Sequence, residues 1–183
     1  MAKLTPLSIE GVWLYETILF DDERGYFQEW FKESLIREVL GRDFKAAQAN
    51  LSRSKRGVVR GIHFSTAIQG QAKWITCAHG SVWDVVADIR PTSPTFKSWE
   101  AVELHAGDGK SLLISEGLGH AFVALEDDTI VSYLLTSTYS PQEEFSINPL
   151  DQELKISWPE IPLIFSDKDF SAPSLREYFL DFK

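Results

Sequence analysis

From Ala46 to Ser137 the chain is a succession of eight short β-type runs, and this feature limits its architecture more than any other. "AAQANLS", "GVVRGIHF", "QAKWITCA", "SVWDVVADIR", "SWEAVELHA", "KSLLISE", "GHAFVALE" and "TIVSYLLTS" are separated by segments such as "RSKRG", "AHG", "RPTSPTFK", "AGDG" and "EDD", each rich in Gly, Pro, Ser or Asp. So many strands expose many edges, and closing the sheet hides them, so an all-β sandwich or barrel is expected. A length of 183 residues fills one core and is short for two, which predicts a single domain over 1–183. A further strand is expected in "GVWLYETILF", ending at the acidic turn "DDERG". Helical spacing is confined to two places. Phe31, Leu35, Ile36, Val39 and Leu40 recur on one face, with Gly41 where a C-terminal cap belongs. The end of the chain, "SAPSLREYFLDF", reads as a short helix opened by Ser171 with Pro173 in its first turn.

A net charge of −9 argues against a general nucleic-acid binder, because phosphate backbones are held by basic faces. It leaves room for one anionic small molecule gripped by a local arginine cluster. The lone cysteine, Cys77, has no intrachain disulfide partner and sits in the apolar run "KWITCAHG", as a buried thiol would. "MAKLTPLSIEG" has no signal-peptide core and no later segment approaches the ~20 apolar residues of a membrane span, so a cytoplasmic protein is the default expectation.

Strand alternation then tells which side chains share a face. Gln48, Asn50 and Ser52 share a polar, uncharged face, which suits either solvent or a ligand cavity. His63, in "RGIHF", is either a satisfied core histidine or a base. Regular alternation puts Arg60 on the opposite face, unless Gly61 marks a bulge that re-aims one of them. Lys73 shares a face with Gln71 and Ile75 and would ordinarily snorkel to water. Asp84 and Asp88 flank Val86, where a carboxylate either neutralises a buried lysine or points outward. Tyr133, in line with Val131 and Leu135, reads by itself as a packing tyrosine. His79 and His105 fall at turns, whereas His120 opens "GHAFVALE" directly after "EGLG". Four scattered histidines and one cysteine give no recognisable metal spacing, and no Walker loop or dinucleotide glycine motif is present.

Taken together, "DERGYFQEWF", "QANLSRSKRGVVRGIHF", "GQAKWITCAHGSVWDVVADIRPTSPTFKSWEAVEL", "ISEGLGHAFVALED", "VSYLLTSTYSPQEEFSI", "DQELKISWP" and "FSDKDFSAPSL" resemble the dTDP-4-dehydrorhamnose 3,5-epimerases, in family order and over roughly residues 10 to 175. The resemblance implies an antiparallel jelly-roll (cupin) barrel, a homodimer, a dTDP-sugar substrate and chemistry without metal or cofactor. It implies His63 as base, Asp169 in "SDKD" as the carboxylate that orients it, Tyr133 as proton donor and Lys73 as the cation near the sugar ketone. It also places Arg24, Phe27, Glu29, Gln48, Asn50, Arg60, His120, Tyr139, Glu144 and Lys168 around the nucleotide, diphosphate and sugar.

The chemistry of such a substrate fits these residue types. In a 4-keto hexose the hydrogens at C3 and C5 are acidified by the carbonyl, and removal of either gives an enolate. Imidazole ordinarily titrates near neutrality and can take such a proton, and inversion needs a second group to return one from the other face. The expected reaction is inversion at both carbons, giving dTDP-4-dehydro-L-rhamnose for cell-surface polysaccharide. A relative that inverts only C3 or only C5 is the nearest alternative, and a non-catalytic sugar-nucleotide-binding barrel a more distant one.

Overall fold

The computed structural model describes residues 2–181. Within them lie thirteen strands and three short helices, and the ladders of all three sheets are antiparallel. The eight expected runs become β5 (Gln48–Ser54), β6 (Val59–Ser65), β7 (Lys73–His79), β8 (Ser81–Ala87), β9 (Trp99–His105), β10 (Lys110–Ile114), β11 (Gly119–Ala124) and β12 (Thr129–Leu135). The further strand expected in "GVWLYETILF" is divided into β2 (Val12–Glu16) and β3 (Leu19–Asp22), and the fold adds β1 (Lys3–Pro6), β4 (Gly25–Gln28), which makes a hairpin with β3, and β13 (Glu144–Ser146). A six-stranded sheet runs β1-β2-β10-β7-β12-β5 and faces a five-stranded sheet, β13-β6-β11-β8-β9, while the β3–β4 hairpin forms a separate ribbon.

Towards the middle of each sheet both faces are covered, which is why "KWITC" of β7 is buried at every position rather than at alternate ones. Between the sheets pack Val12, Ile75, Leu112, Ile114 and Val131 from one side and Val82, Val86, Leu104 and Phe122 from the other. The outer face of the six-stranded sheet, with Tyr15, Trp74 and Leu113, is closed by Phe44 and by Ile36 of α1 (Glu33–Leu40). The outer face of the five-stranded sheet, with Ile62, Phe64, Val85 and Ala121, is closed by Leu154, Trp158 and the C-terminal helix α3 (Leu175–Asp181) through Leu175 and Tyr178. Cys77 is buried in the inter-sheet core; burial pushes its thiol up to about 11 despite contacts of Sγ with the carbonyls of His79 and Gly80. Among the described residues no helix is long and apolar enough to cross a membrane.

Two local expectations are corrected. Helix α1 ends at Gly41, in the left-handed region at φ 65°, as expected, but it starts at Glu33, leaving Phe31 before it as a packing residue on Trp74. The C-terminal helix is opened by Ser174 and not by Ser171. Ser174 Oγ accepts from the Glu177 backbone N–H while the Glu177 carboxylate accepts from the Ser174 backbone, a reciprocal cap. Ser171 instead closes α2 (Asp167–Phe170), its backbone N–H donating to Asp167.

Candidate active site

The inter-sheet space is filled by apolar side chains at one end and opens at the other into a cavity of about 260 Å³. From the six-stranded sheet, β5 contributes Gln48, Asn50 and Ser52, β7 contributes Lys73, and β12 contributes Tyr133 and Leu135. The five-stranded sheet supplies Arg60 and His63 from β6, His120 and Phe122 from β11, and Glu144, Phe145 and Ser146 from β13. Gln71, Tyr139 and, from α2, Lys168 complete the wall. The polar face of β5 therefore looks inward. The amides brace one another, Gln48 Nε2 donating to Asn50 Oδ1 at 2.8 Å and Gln48 Oε1 accepting from the Tyr139 backbone at 2.8 Å.

Arg60 and His63 reach the same cavity because β6 carries an extra residue. Phe122 pairs with Arg60 and His120 with His63, so between these pairs one residue of β11, Ala121, opposes two of β6, Gly61 and Ile62. Gly61 makes this possible: its φ is +124°, and a Cβ there would lie 2.5 Å from both the Cβ of Ala121 and the carbonyl of His120. Ile62 and Phe64 then turn to the outer core while His63 faces inward.

His63 Nε2 lies 2.7 Å from Oδ1 of Asp169, a residue 106 positions away carried by α2. The His63 side chain is 42% exposed and that of Asp169 only 6%. Burial pushes the Asp169 carboxyl up, but the His63 hydrogen bond and charge, with the Ser166 and Gly61 donors, outweigh it and hold the group below its usual value. An ionised carboxylate only accepts, so the imidazole nitrogen facing it carries the proton and Nδ1 keeps its lone pair. Across the cavity, Lys73 is 6% exposed; loss of water pushes its ammonium down to about 8 against the opposing charge of Glu144. It does not snorkel: Nζ donates to Gln71 Oε1 at 2.6 Å. Tyr133 lines the cavity from β12, and among the described residues its hydroxyl has no hydrogen-bond partner.

The aspartates of β8 and the loop after it do neither of the things expected of them. Asp84 points into the inter-sheet space, and both its oxygens lie 3.0 Å from His120 Nε2; burial raises its carboxyl, opposed by His120. Asp88 lies beyond β8, where Arg90, Ser93 and Thr95 converge on it; burial raises its carboxyl, but these donors together hold it well below the ordinary range. Neither neutralises Lys73, because the strand geometry turns Asp84 to His120 and the "RPTSPT" loop folds back on Asp88. His79 and His105 are exposed, as their turn positions suggested.

Three expected site residues stand apart. Arg24 pairs with Asp22 within the β3–β4 turn, Phe27 is 65% exposed on the hairpin beside Phe20, and Glu29 pairs with Lys32 at 3.6 Å. None of them lines the cavity of its own chain. The cavity also uses Gln71, Phe122, Phe145 and Ser146, which the sequence did not single out as site residues. Period-two alternation already puts Gln71 on the Lys73 face, whereas β13 hides behind the turn-rich "TYSPQ".

The family model for dTDP-4-dehydrorhamnose 3,5-epimerase matches residues 6–177. The dTDP-4-dehydrorhamnose 3,5-epimerase of Mycolicibacterium smegmatis is 51% identical over 172 residues, covering 93% of this chain and 85% of that protein. Among solved structures, the 4-keto-6-deoxy sugar epimerase from the novobiocin biosynthetic gene cluster of Streptomyces spheroides superimposes with a TM-score of 0.96 at 43% identity, covering 100% of this chain and 92% of that one. The 3′-monoepimerase of Streptomyces bikiniensis in complex with dTDP-quinovose gives a TM-score of 0.92 at 44% identity, covering 96% and 90%.

Proposed function

The chain belongs to the dTDP-4-dehydrorhamnose 3,5-epimerase family, and we propose on that footing that it inverts C3 and C5 of dTDP-4-dehydro-6-deoxy-D-xylo-hexose to give dTDP-4-dehydro-L-rhamnose. The observation that carries this reading is His63 on one sheet, paired with Asp169 of α2, facing Lys73 and Tyr133 on the other sheet across one cavity. Nδ1 of His63 takes the proton from the carbon beside the ketone, and the C–H electron pair enters the ring as an enolate. Negative charge collects on O4, where the Lys73 ammonium stabilises it. One positioned donor of this type contributes about 3–4 kcal/mol to the transition state. The imidazolium is stabilised by Asp169, and Tyr133 delivers a proton to the opposite face of the same carbon, as inversion requires. Both groups then reset by exchange with water.

Gln48, Asn50, Arg60, His120, Tyr139 and Lys168 hold the rest of the dTDP-sugar, the forked donors of Arg60 matching diphosphate oxygens. The protein acts as a homodimer. The β3–β4 hairpin leaves Phe20, Tyr26 and Phe27 more than half exposed and carries Arg24 and Phe27 outside the cavity, with Glu29 one residue beyond β4. A second copy brings such a hairpin over the cavity mouth, where Arg24 meets the diphosphate and Phe27 stacks on the thymine.

Inversion at C3 alone is the second reading, supported by the 44% identity to a 3′-monoepimerase. Proton NMR with dTDP-4-keto-6-deoxyglucose in deuterated water separates the two. Deuterium and inversion at both C3 and C5 are expected. Exchange at one carbon assigns a single-centre epimerase, and exchange at neither overturns the base chemistry.

A further inference from the structure

Lys73 and Glu144 both line the cavity and Glu144 supports the Lys73 charge, yet they are not paired directly. Gln71 stands between them. Its Oε1 accepts from Lys73 Nζ at 2.6 Å, and its Nε2 donates to Glu144 Oε1 at 2.9 Å and to Ser137 Oγ at 3.1 Å. The glutamine is itself 5% exposed and stands two residues before Lys73, the first residue of β7, whose next residue on that face is Ile75 of the inter-sheet core. Because a carboxylate only accepts, Glu144 obliges the amide to turn its NH2 toward β13 and its carbonyl toward the lysine. Among the described residues no other acceptor lies within hydrogen-bonding range of Nζ, so two of the three ammonium hydrogens remain for a ligand in the cavity.

We infer that Gln71 and Glu144 form a positioning relay for Lys73, in which the amide orients the ammonium toward the sugar oxyanion and Glu144 orients the amide. This rests on the reading of Lys73 as the oxyanion-binding cation, and it gives Glu144 a positioning role through Gln71. A direct Lys73–Glu144 ion pair would draw Nζ toward β13 and spend its charge there. The amide keeps the two apart while passing on part of the carboxylate's field.

The relay has a pH signature. The ammonium is held down to about 8 by burial, and Glu144 is the group that opposes the fall. β10 presents apolar Ile114 opposite Lys73, and β12 presents Leu135 there with Tyr133 two residues on. β6 and β11, across the cavity, present Arg60, His63 and His120, α2 presents Lys168, and the loop after β12 presents Tyr139. The titratable side chains of β9 are engaged elsewhere: Glu103 with His105, and Glu100 with Ser8. The protonated form is the working one, so turnover falls as pH rises through the Lys73 value. Removing the anion that supports the ammonium moves that fall to lower pH.

The experiment uses the full-length enzyme, with kcat, KM and dTDP affinity measured across pH, and the side-chain signal of Lys73 titrated by carbon NMR. Glu144→Gln is expected to shift both the alkaline limb of kcat and the NMR titration of Lys73 to lower pH with dTDP binding unchanged. Gln71→Met is expected to lower kcat by about ten- to hundredfold, the scale of an ångström's misplacement, again without loss of dTDP. If both variants keep the wild-type alkaline limb and kcat while Lys73→Met is inactive, the relay is wrong and the role of Lys73 stands. A weakened KM in Glu144→Gln with an unmoved limb overturns the relay in favour of direct substrate contact by Glu144. If Lys73→Met turns over normally, the oxyanion role itself fails, and the relay with it.

Discussion

Asp169 decides which nitrogen of His63 is free, and in the proposed mechanism it also supplies the counter-charge of the imidazolium. An asparagine in its place keeps the size but offers NH2 as well as C=O, so the ring can settle in the other tautomer and lose the imidazolium's counter-charge. Asp169→Asn is therefore expected to lower kcat by about 10²–10⁴-fold, the range of general-base catalysis, while calorimetry finds dTDP binding intact. A kcat within a few-fold of wild type would remove Asp169 from the chemistry. Residue by residue, the local sequence could not pair these two groups, since 106 positions separate them and α2 is four residues long. The resemblance named both, and the fold supplied the contact. The Asp84–His120 pair was not foreseen because alternation tells which face a residue is on and not which residue of the neighbouring strand it meets.

Strand β6 shows how one element sets the site. Its extra residue at Gly61–Ile62 lets Arg60 and His63 both face inward, although three positions apart in a strand ordinarily means opposite faces. The glycine was legible as a possible bulge; its necessity was not, since it comes from the approach of Ala121 on β11. Gly61→Ala adds a Cβ at positive φ against backbone, a strain of about 1–3 kcal/mol before the clash is counted. The expected result is a melting temperature lower by several degrees together with loss of turnover, read by calorimetry and assay on the same sample. Unchanged melting and activity would mean that β6 can re-register without harm. The other element-scale misses share a cause. β13 and the β4 half of the hairpin are short and carry turn residues at their borders, and Ser171 competes with Ser174 as a cap until the Ser-x-x-Glu spacing to Glu177 is weighed.

At the scale of the whole molecule, the strand count and turn spacing sufficed for a two-layer β fold, but the order β1-β2-β10-β7-β12-β5 did not follow from them, because most neighbours in it are far apart in sequence. The proposed dimer makes a distinctive prediction. His63→Ala and Arg24→Ala proteins, each impaired alone, should regain turnover when mixed and allowed to exchange subunits, since one site of the hybrid joins an intact His63 to an intact Arg24 from the other copy. No recovery, with hybrids verified by native mass spectrometry, would assign Arg24 to its own chain. Cys77 makes the hairpin itself open to observation. It is the only thiol in the sequence, it lies in the core, and a group pushed up to about 11 is almost entirely unreactive thiol at neutral pH. A cysteine engineered at the β3–β4 turn would therefore accept a fluorophore or spin label alone, so distances between copies of that turn could be followed in solution without first stripping the native protein of its own sulfhydryl.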